Sequence, residues 1–242
     1  MIQYEPRSFP GERPVNEDCV LADQEGEQYC FVLCDGLGGH GKGDLASRLT
    51  AKKVIEEFHR QPSCEHMGLW IQKAQEELLR QQKSMKAEEE MKTTLVVLWV
   101  GNRQIRWGHI GDSRLYRFQR GIFGTKIFRT FDHSVPQMLV AAGTIKEKEI
   151  RHHEDRNRLL RVMGIEWDSP RYELGSIKPA RKGQAFLLCS DGWWEWIEEE
   201  GMKKSLQEAS CVGDWMESME KEVRNHGKGS EMDNFSAIGV WI

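Results

Sequence analysis

The chain has 242 residues, of which 39% are hydrophobic and 30% charged, and its formal net charge is −4. It is long enough for one well-buried domain, expected over residues 1–242, and has no basic excess for non-specific nucleic-acid binding. No apolar run approaches the roughly 20 residues that cross a bilayer, and Met1 to Pro6 lacks a secretory signal's basic start and apolar run, so a cytoplasmic, non-membrane protein is expected.

In chain order, Tyr29 to Cys34 is the first short, continuous apolar run and predicts a strand. A helix follows over about Asp44 to His59, with Leu45, Leu49, Val54 and Phe58 roughly on one side. A second helix runs over about Met67 to Met91, where Met67, Trp70, Ile71, Ala74 and Leu78 keep helical spacing and Glu88 to Glu90 form a solvated end. Leu95 to Val100 and Gln104 to Ile110 read as strands joined by a hairpin turn at Gly101-Asn102. Further strands are predicted at Leu115 to Phe118, Lys126 to Phe131, Arg171 to Leu174, Ala185 to Cys189 and Phe235 to Ile242. Shorter helices are predicted at Val135 to Ala142, Trp194 to Glu208 and Val212 to His226. Helices set between runs of strands predict an α+β domain, a β-sandwich covered by helices.

Six cysteines are present: Cys19, Cys30, Cys34, Cys64, Cys189 and Cys211. Their spacing does not suit a zinc site, and they are expected to be reduced, with Cys30, Cys34 and Cys189 acting as small buried hydrophobes. None has an arginine six residues on, which argues against a cysteine-nucleophile phosphatase loop.

The chemistry lies in the aspartates. Asp35, Asp112 and Asp191 each follow an apolar strand, and Asp233 precedes the last one. Asp18 sits in Asn16-Glu17-Asp18. Each alone reads as a turn residue. As a set they can converge on one edge of a sandwich, where they would repel unless cations intervene. An all-oxygen set selects hard ions, Mg2+ or Mn2+. A pair of such ions about 3.5–4 Å apart can share a water, make it nucleophilic near neutral pH, and act on phosphate esters. Arg13 offers the planar fork that suits phosphate oxygens.

Read in order, these segments resemble the metal-dependent protein phosphatase family of the 2C type, especially its compact bacterial members. The segments are RPVNED (Arg13 to Asp18), CDGLGGHGKGDLAS (Cys34 to Ser47), TTLVV (Thr93 to Val97) and GHIGDSRLY (Gly108 to Tyr116). FDHSVPQMLVAAGTI (Phe131 to Ile145) and RNRLLRVMG (Arg156 to Gly164) resemble the surroundings of the family's mobile flap. LLCSDGWWEWI (Leu187 to Ile197) and DNFSAIGV (Asp233 to Val240) complete the series.

The resemblance implies a four-layer α-β-β-α sandwich, with two antiparallel sheets flanked by pairs of helices. It implies a phosphoserine/phosphothreonine phosphatase using two Mg2+ or Mn2+ ions, with a third in bacterial members. Asp35 is implied to bridge two ions, with the Gly36 carbonyl as a further ligand. Asp191 and Asp233 are implied to bind the second ion, Asp18 to act through a bound water, and Asp112 with Asp191 to hold the third. Arg13 is implied to contact the phosphate. Some members carry a histidine directly after Asp-Gly as general acid; here that position is Leu37, and His40 is the nearby candidate. The implied partners are phosphorylated proteins, a cognate serine/threonine kinase or its substrates, met by a monomer. The alternative is a non-catalytic phosphatase-like module, for which a missing ligand aspartate would be the cue.

Overall fold

The computed structural model describes residues 2–37, 41–121 and 124–242. Alternation inside the apolar runs generates three layers of core. In β3 (Gln28–Cys34), Cys30, Val32 and Cys34 face one way, and Phe31 and Leu33 the other, as a two-residue period requires. The same split divides β6 (Leu95–Gly101) and β12 (Gln184–Cys189), which are buried on both faces. Phe31, Leu33, Val96, Leu98, Phe186, Leu188, Ile238 and Val240 fill the space between two sheets.

One sheet has the order β1 (Gln3–Phe9), β13 (Phe235–Trp241), β12, β8 (Arg114–Gly121), β9 (Gly124–Arg129). The other runs β10 (Glu173–Leu174), β7 (Gln104–Ile110), β6, β3, β2 (Cys19–Glu25), with β11 (Lys178–Pro179) also on β7. All of these pairs are antiparallel, as is the separate pair of β4 (Gly36–Leu37) with β5 (Lys92–Thr93), and a short α3 spans Val135–Ala141. Outside the second sheet lie α1 (Gly43–Arg60) and α2 (Met67–Met85); outside the first lie α5 (Glu199–Glu208) and α6 (Val212–Gly227). The four-layer α-β-β-α architecture is the expected one.

The details differ where a side chain from elsewhere decides. The chain already forms strands before Tyr29. β1 contains Pro6, which an edge strand tolerates, and its residues face solvent on much of their surface. The buried stripe of α1 is Ala46, Thr50, Ala51, Val54 and Phe58, small at its start so that the helix lies close to β2 and β3; Leu45 and Leu49 flank it half-buried. The hairpin turn is one residue later than expected: Gly101 pairs with Gln104, and Asn102 and Arg103 take φ 50° and 59°, the geometry of a type I′ turn.

α2 stops at Met85, where Lys86 turns left-handed, and Glu88 to Glu90 belong to a turn rather than a helix end. The buried Gln82 side chain donates to the Met91 and Gly164 carbonyls, 2.6 and 2.8 Å away, which fixes that turn against the core. The predicted helix Trp194 to Glu208 is broken between α4 (Asp191–Trp194) and α5, because buried Arg151 donates to the Trp194 and Ile197 carbonyls.

All six cysteines are free, and burial pushes the Cys30, Cys34 and Cys189 thiols up. Because Gln82 satisfies two buried carbonyls at once, Gln82→Leu should cost about 2–4 kcal/mol of stability. Urea denaturation checks this, and an unchanged midpoint would count against the assigned role of Gln82.

Candidate active site

Strand register brings the aspartates together. β2 pairs with β3 so that Cys19 faces Cys34, which sets Asp18 beside Asp35. β12 pairs with β8 and β13 so that Cys189 faces both Arg114 and Ala237, which brings the ends preceding or following those residues, with Asp112, Asp191 and Asp233, to one edge. Asp35, Gly36, Asp112, Asp191 and Asp233 line one cavity of about 460 Å3, with Arg13 at its mouth. Asp18 stands behind it, buried. His40 lies outside the described residues.

Backbone contacts hold each carboxylate. Asp35 N–H donates to Thr94 Oγ1 at 3.0 Å, and the Asp35 carbonyl accepts from Thr94 N–H and Thr93 Oγ1 at 2.8 and 2.7 Å. Thr94 Oγ1 also meets Ser113 Oγ at 2.7 Å, so the turns that carry Asp35 and Asp112 share one hydroxyl pair. Trp194 Nε1–H donates to the Asp112 carbonyl at 3.1 Å. Gly111 (φ +102°) precedes Asp112 in a conformation that side chains rarely adopt, and a Cβ there would meet Thr94 Cγ2 at 2.6 Å. Ser190 Oγ donates to Asp18 Oδ2 at 2.9 Å.

The Arg13 loop is drawn onto Asp233. Gly11 (φ +60°) packs so closely there that a Cβ would lie 2.2 Å from the Asp233 carbonyl. Asn234 donates to the Pro10 and Val15 carbonyls and accepts from Glu17 N–H, tying the loop down. The Arg13 fork bonds both Asp233 oxygens, at 3.1 and 3.0 Å.

Next to Asp112, Arg114 is fully buried and forks onto Asp132 at 2.8 and 2.6 Å, with its guanidinium carbon 3.5 Å from the Trp194 ring centre. Such a pair persists only when geometry and extra hydrogen bonds offset desolvation, and the Tyr116 hydroxyl supplies one at 3.0 Å.

The carboxylates are electrostatically frustrated. Burial, then Asp191, Asp18, Asp112 and Asp233, push Asp35 well above the usual carboxylate range. Burial, then Asp191 and Asp132, do the same to Asp112. Burial raises Asp18 to about 7, with Ser236 and Ser190 opposing. Burial and Asp233 raise Asp191 to about 6. Burial and Asp191 raise Glu195 to about 7 against the pull of Arg156, which donates to it at 2.8 Å. Asp18 Oδ1 is buried with no protein partner. An all-oxygen cluster with an orphaned acceptor in its wall fits hard divalent cations.

Among the described residues, His109, His133 and Glu173 also bring ligand atoms within 4.8 Å of one another. They do not fit a metal. The two rings are stacked, 4.8 Å apart with planes 9° from parallel, so one ion cannot lie in the plane of both. Sequence reasoning passes over the supporting groups Thr94, Ser113, Trp194, Asn234 and Glu195. Ser113, Trp194, Asn234 and Glu195 lie within four residues of an aspartate and Thr94 does not, but the contacts that give all five their role are with residues remote in sequence.

The chain belongs to the protein phosphatase 2C family, which residues 12–227 match. It is 26% identical over 214 residues to the serine/threonine phosphatase stp of Listeria innocua serovar 6a, covering 85% of this chain and 82% of that one. It superposes on the serine/threonine phosphatase Stp1 from Staphylococcus aureus with TM-score 0.88 and 25% identity, over 100% of this chain and 95% of that one. The catalytic domain of the serine/threonine protein phosphatase PstP, solved in complex with two manganese ions, matches with TM-score 0.83 and 25% identity, over 99% and 97% of the two chains.

The raised carboxyls have a thermodynamic signature. The folded state keeps protons that the unfolded chain releases near pH 4, so stability falls as pH rises through the window up to about 7 set by Asp18 and Asp191. In chelator, the melting temperature should therefore be several degrees higher at pH 5.5 than at pH 8. Added Mn2+ should stabilise more at pH 8, where it competes with fewer protons. A chelated protein more stable at pH 8 would contradict this.

Proposed function

We infer that the chain is a protein serine/threonine phosphatase that hydrolyses phosphoserine and phosphothreonine esters at a Mg2+ or Mn2+ centre. The carrying observation is the convergence of Asp35, Asp112, Asp191 and Asp233 on one cavity with Arg13 at its mouth. We assign Asp35 as the bridging ligand of an ion pair, with the Gly36 carbonyl beside it and Asp191 and Asp233 on the second ion. Asp18 is assigned to orient a water from behind, and Asp112 with Asp191 to a third, weaker ion. When bound, such ions supply a nucleophile from water at neutral pH and neutralise charge on the phosphoryl oxygens.

The chain's own residues hold and orient. Arg13 presents two parallel N–H donors, now forked onto a carboxylate, to which a phosphate group offers the same planar pair of acceptors. Asn157 and Leu159 of the flap segment line the same cavity as Pro14 and Val15 of the Arg13 loop. A non-catalytic module is disfavoured, since none of the aspartates the chemistry needs has been replaced.

The natural substrates are phosphorylated proteins, and we propose a cognate serine/threonine kinase or that kinase's targets. We further propose one catalytic domain over 1–242 acting as a cytoplasmic monomer. Among the described residues no helix is long and apolar enough to cross a membrane.

Phosphopeptide turnover should fall at least about a hundredfold in excess chelator and return with Mn2+ or Mg2+. Full activity in chelator would sink the metal mechanism. Arg13→Ala should raise KM about tenfold while calorimetric Mn2+ binding persists; an unchanged KM with lower thermal stability would make Arg13 a structural residue.

A further inference from the structure

His133 is absent from every role assigned so far, yet it bonds twice to Gly111, the residue before Asp112. Its backbone N–H donates to the Gly111 carbonyl at 2.9 Å, and Gly111 N–H donates back to His133 Nδ1 at 3.2 Å. These two bonds close a ring around the one residue whose left-handed backbone aims Asp112. Because Nδ1 accepts, the proton of the neutral ring sits on Nε2, which donates to Glu173 Oε1 at 3.2 Å. Burial, then His109, push His133 down to about 4, so the ring stays neutral. His109 stacks on it and is itself fixed by Nε2–H donating to the Phe131 carbonyl at 2.9 Å.

The other side of His133 faces the flap segment. Leu160 N–H donates to the His133 carbonyl at 2.7 Å, Val135 N–H donates to the Arg158 carbonyl at 2.9 Å, and Ser134 and Leu159 form an isolated antiparallel bridge. Leu159 lines the cavity. One residue thus bonds the turn that carries Asp112 on one side and the cavity-lining flap on the other.

We propose that His133 is a positioning residue for dephosphorylation: its Nδ1 lone pair locks the Gly111–Asp112 turn, while its backbone carbonyl holds the flap segment at Leu160. This rests on Asp112 being a ligand of the weaker third ion. Partners one step removed from a ligand commonly change metal affinity or activity by about 10–100-fold.

The test compares His133→Asn, whose Oδ1 stands near Nδ1 and accepts the Gly111 proton, with His133→Gln and His133→Ala, which offer no acceptor there. Expected are a kcat loss of about tenfold or more in the Gln and Ala variants and a return of most turnover in the Asn variant. KM for a small aryl phosphate should be nearly constant, and the tight Mn2+ pair should stay intact by calorimetry. Hydrogen exchange in metal-free protein gives a readout independent of turnover: the Gly111 amide should be protected in wild type and His133→Asn, and should exchange faster in His133→Gln. If His133→Ala does not fold, the Asn and Gln pair, matched for polarity, still decides. Equal turnover and equal Gly111 protection in those two would overturn the proposal. Asp112→Ala separates the underlying reading: wild-type turnover there removes the third-ion role itself. Lost turnover there, with unaffected His133 variants, removes only the role of His133.

Discussion

The structure depends on one electrostatic constraint: aspartates held side by side at the edge of a sandwich, with too little positive charge from the protein to balance them. Coulomb repulsion between unit charges 4 Å apart is about 4 kcal/mol even at an effective dielectric of 20. Asp35, Asp112, Asp18 and Asp191 all respond by rising above the ordinary carboxylate range. Among the described residues none of these four is in an ion pair with a protein cation; Arg13 pairs with Asp233, and that contact is solvent-exposed. Protons relieve the strain at low pH and divalent cations relieve it at neutral pH; a site that needs cations for its own stability is also one that binds them.

Rigid backbone makes the frustration persist. The turns of Asp35 and Asp112 share the Thr94–Ser113 hydroxyl pair. Trp194, on the short helix that Asp191 begins, reaches the Asp112 carbonyl and covers the Arg114 guanidinium. Arg114 in turn is neutralised by Asp132, whose neighbour His133 clasps Gly111. A buried pair of this kind contributes little net stability, but losing one partner costs about 3–5 kcal/mol, so it acts as a geometric lock. The turn of Asp112 cannot shift without disturbing that lock.

Much of the fold is legible in the sequence because the central strands β3, β6 and β12 are built on continuous apolar runs and α1, α2 and α6 carry clear apolar stripes. β1 is not legible: Pro6 and its polar residues suit an edge, and only pairing with β13 defines it. The end of α2 and the break before α5 are set by Gln82 and Arg151, side chains that capture carbonyls far away in sequence. The site divides in the same way. Aspartates that flank strands in an ordered series can be read directly. Their supports cannot, because Thr94, Trp194 and His133 acquire meaning only through contacts with partners about 20 to 80 residues away.

The most direct test of the carboxylate centre is a crystal structure of Mn2+-soaked protein with anomalous scattering collected at the manganese edge. Strong anomalous peaks are expected among Asp35, Asp191 and Asp233, with a weaker one between Asp112 and Asp191 and none at His109, His133 and Glu173. Manganese at the imidazoles, or no peak among the aspartates at saturating Mn2+, would contradict the account.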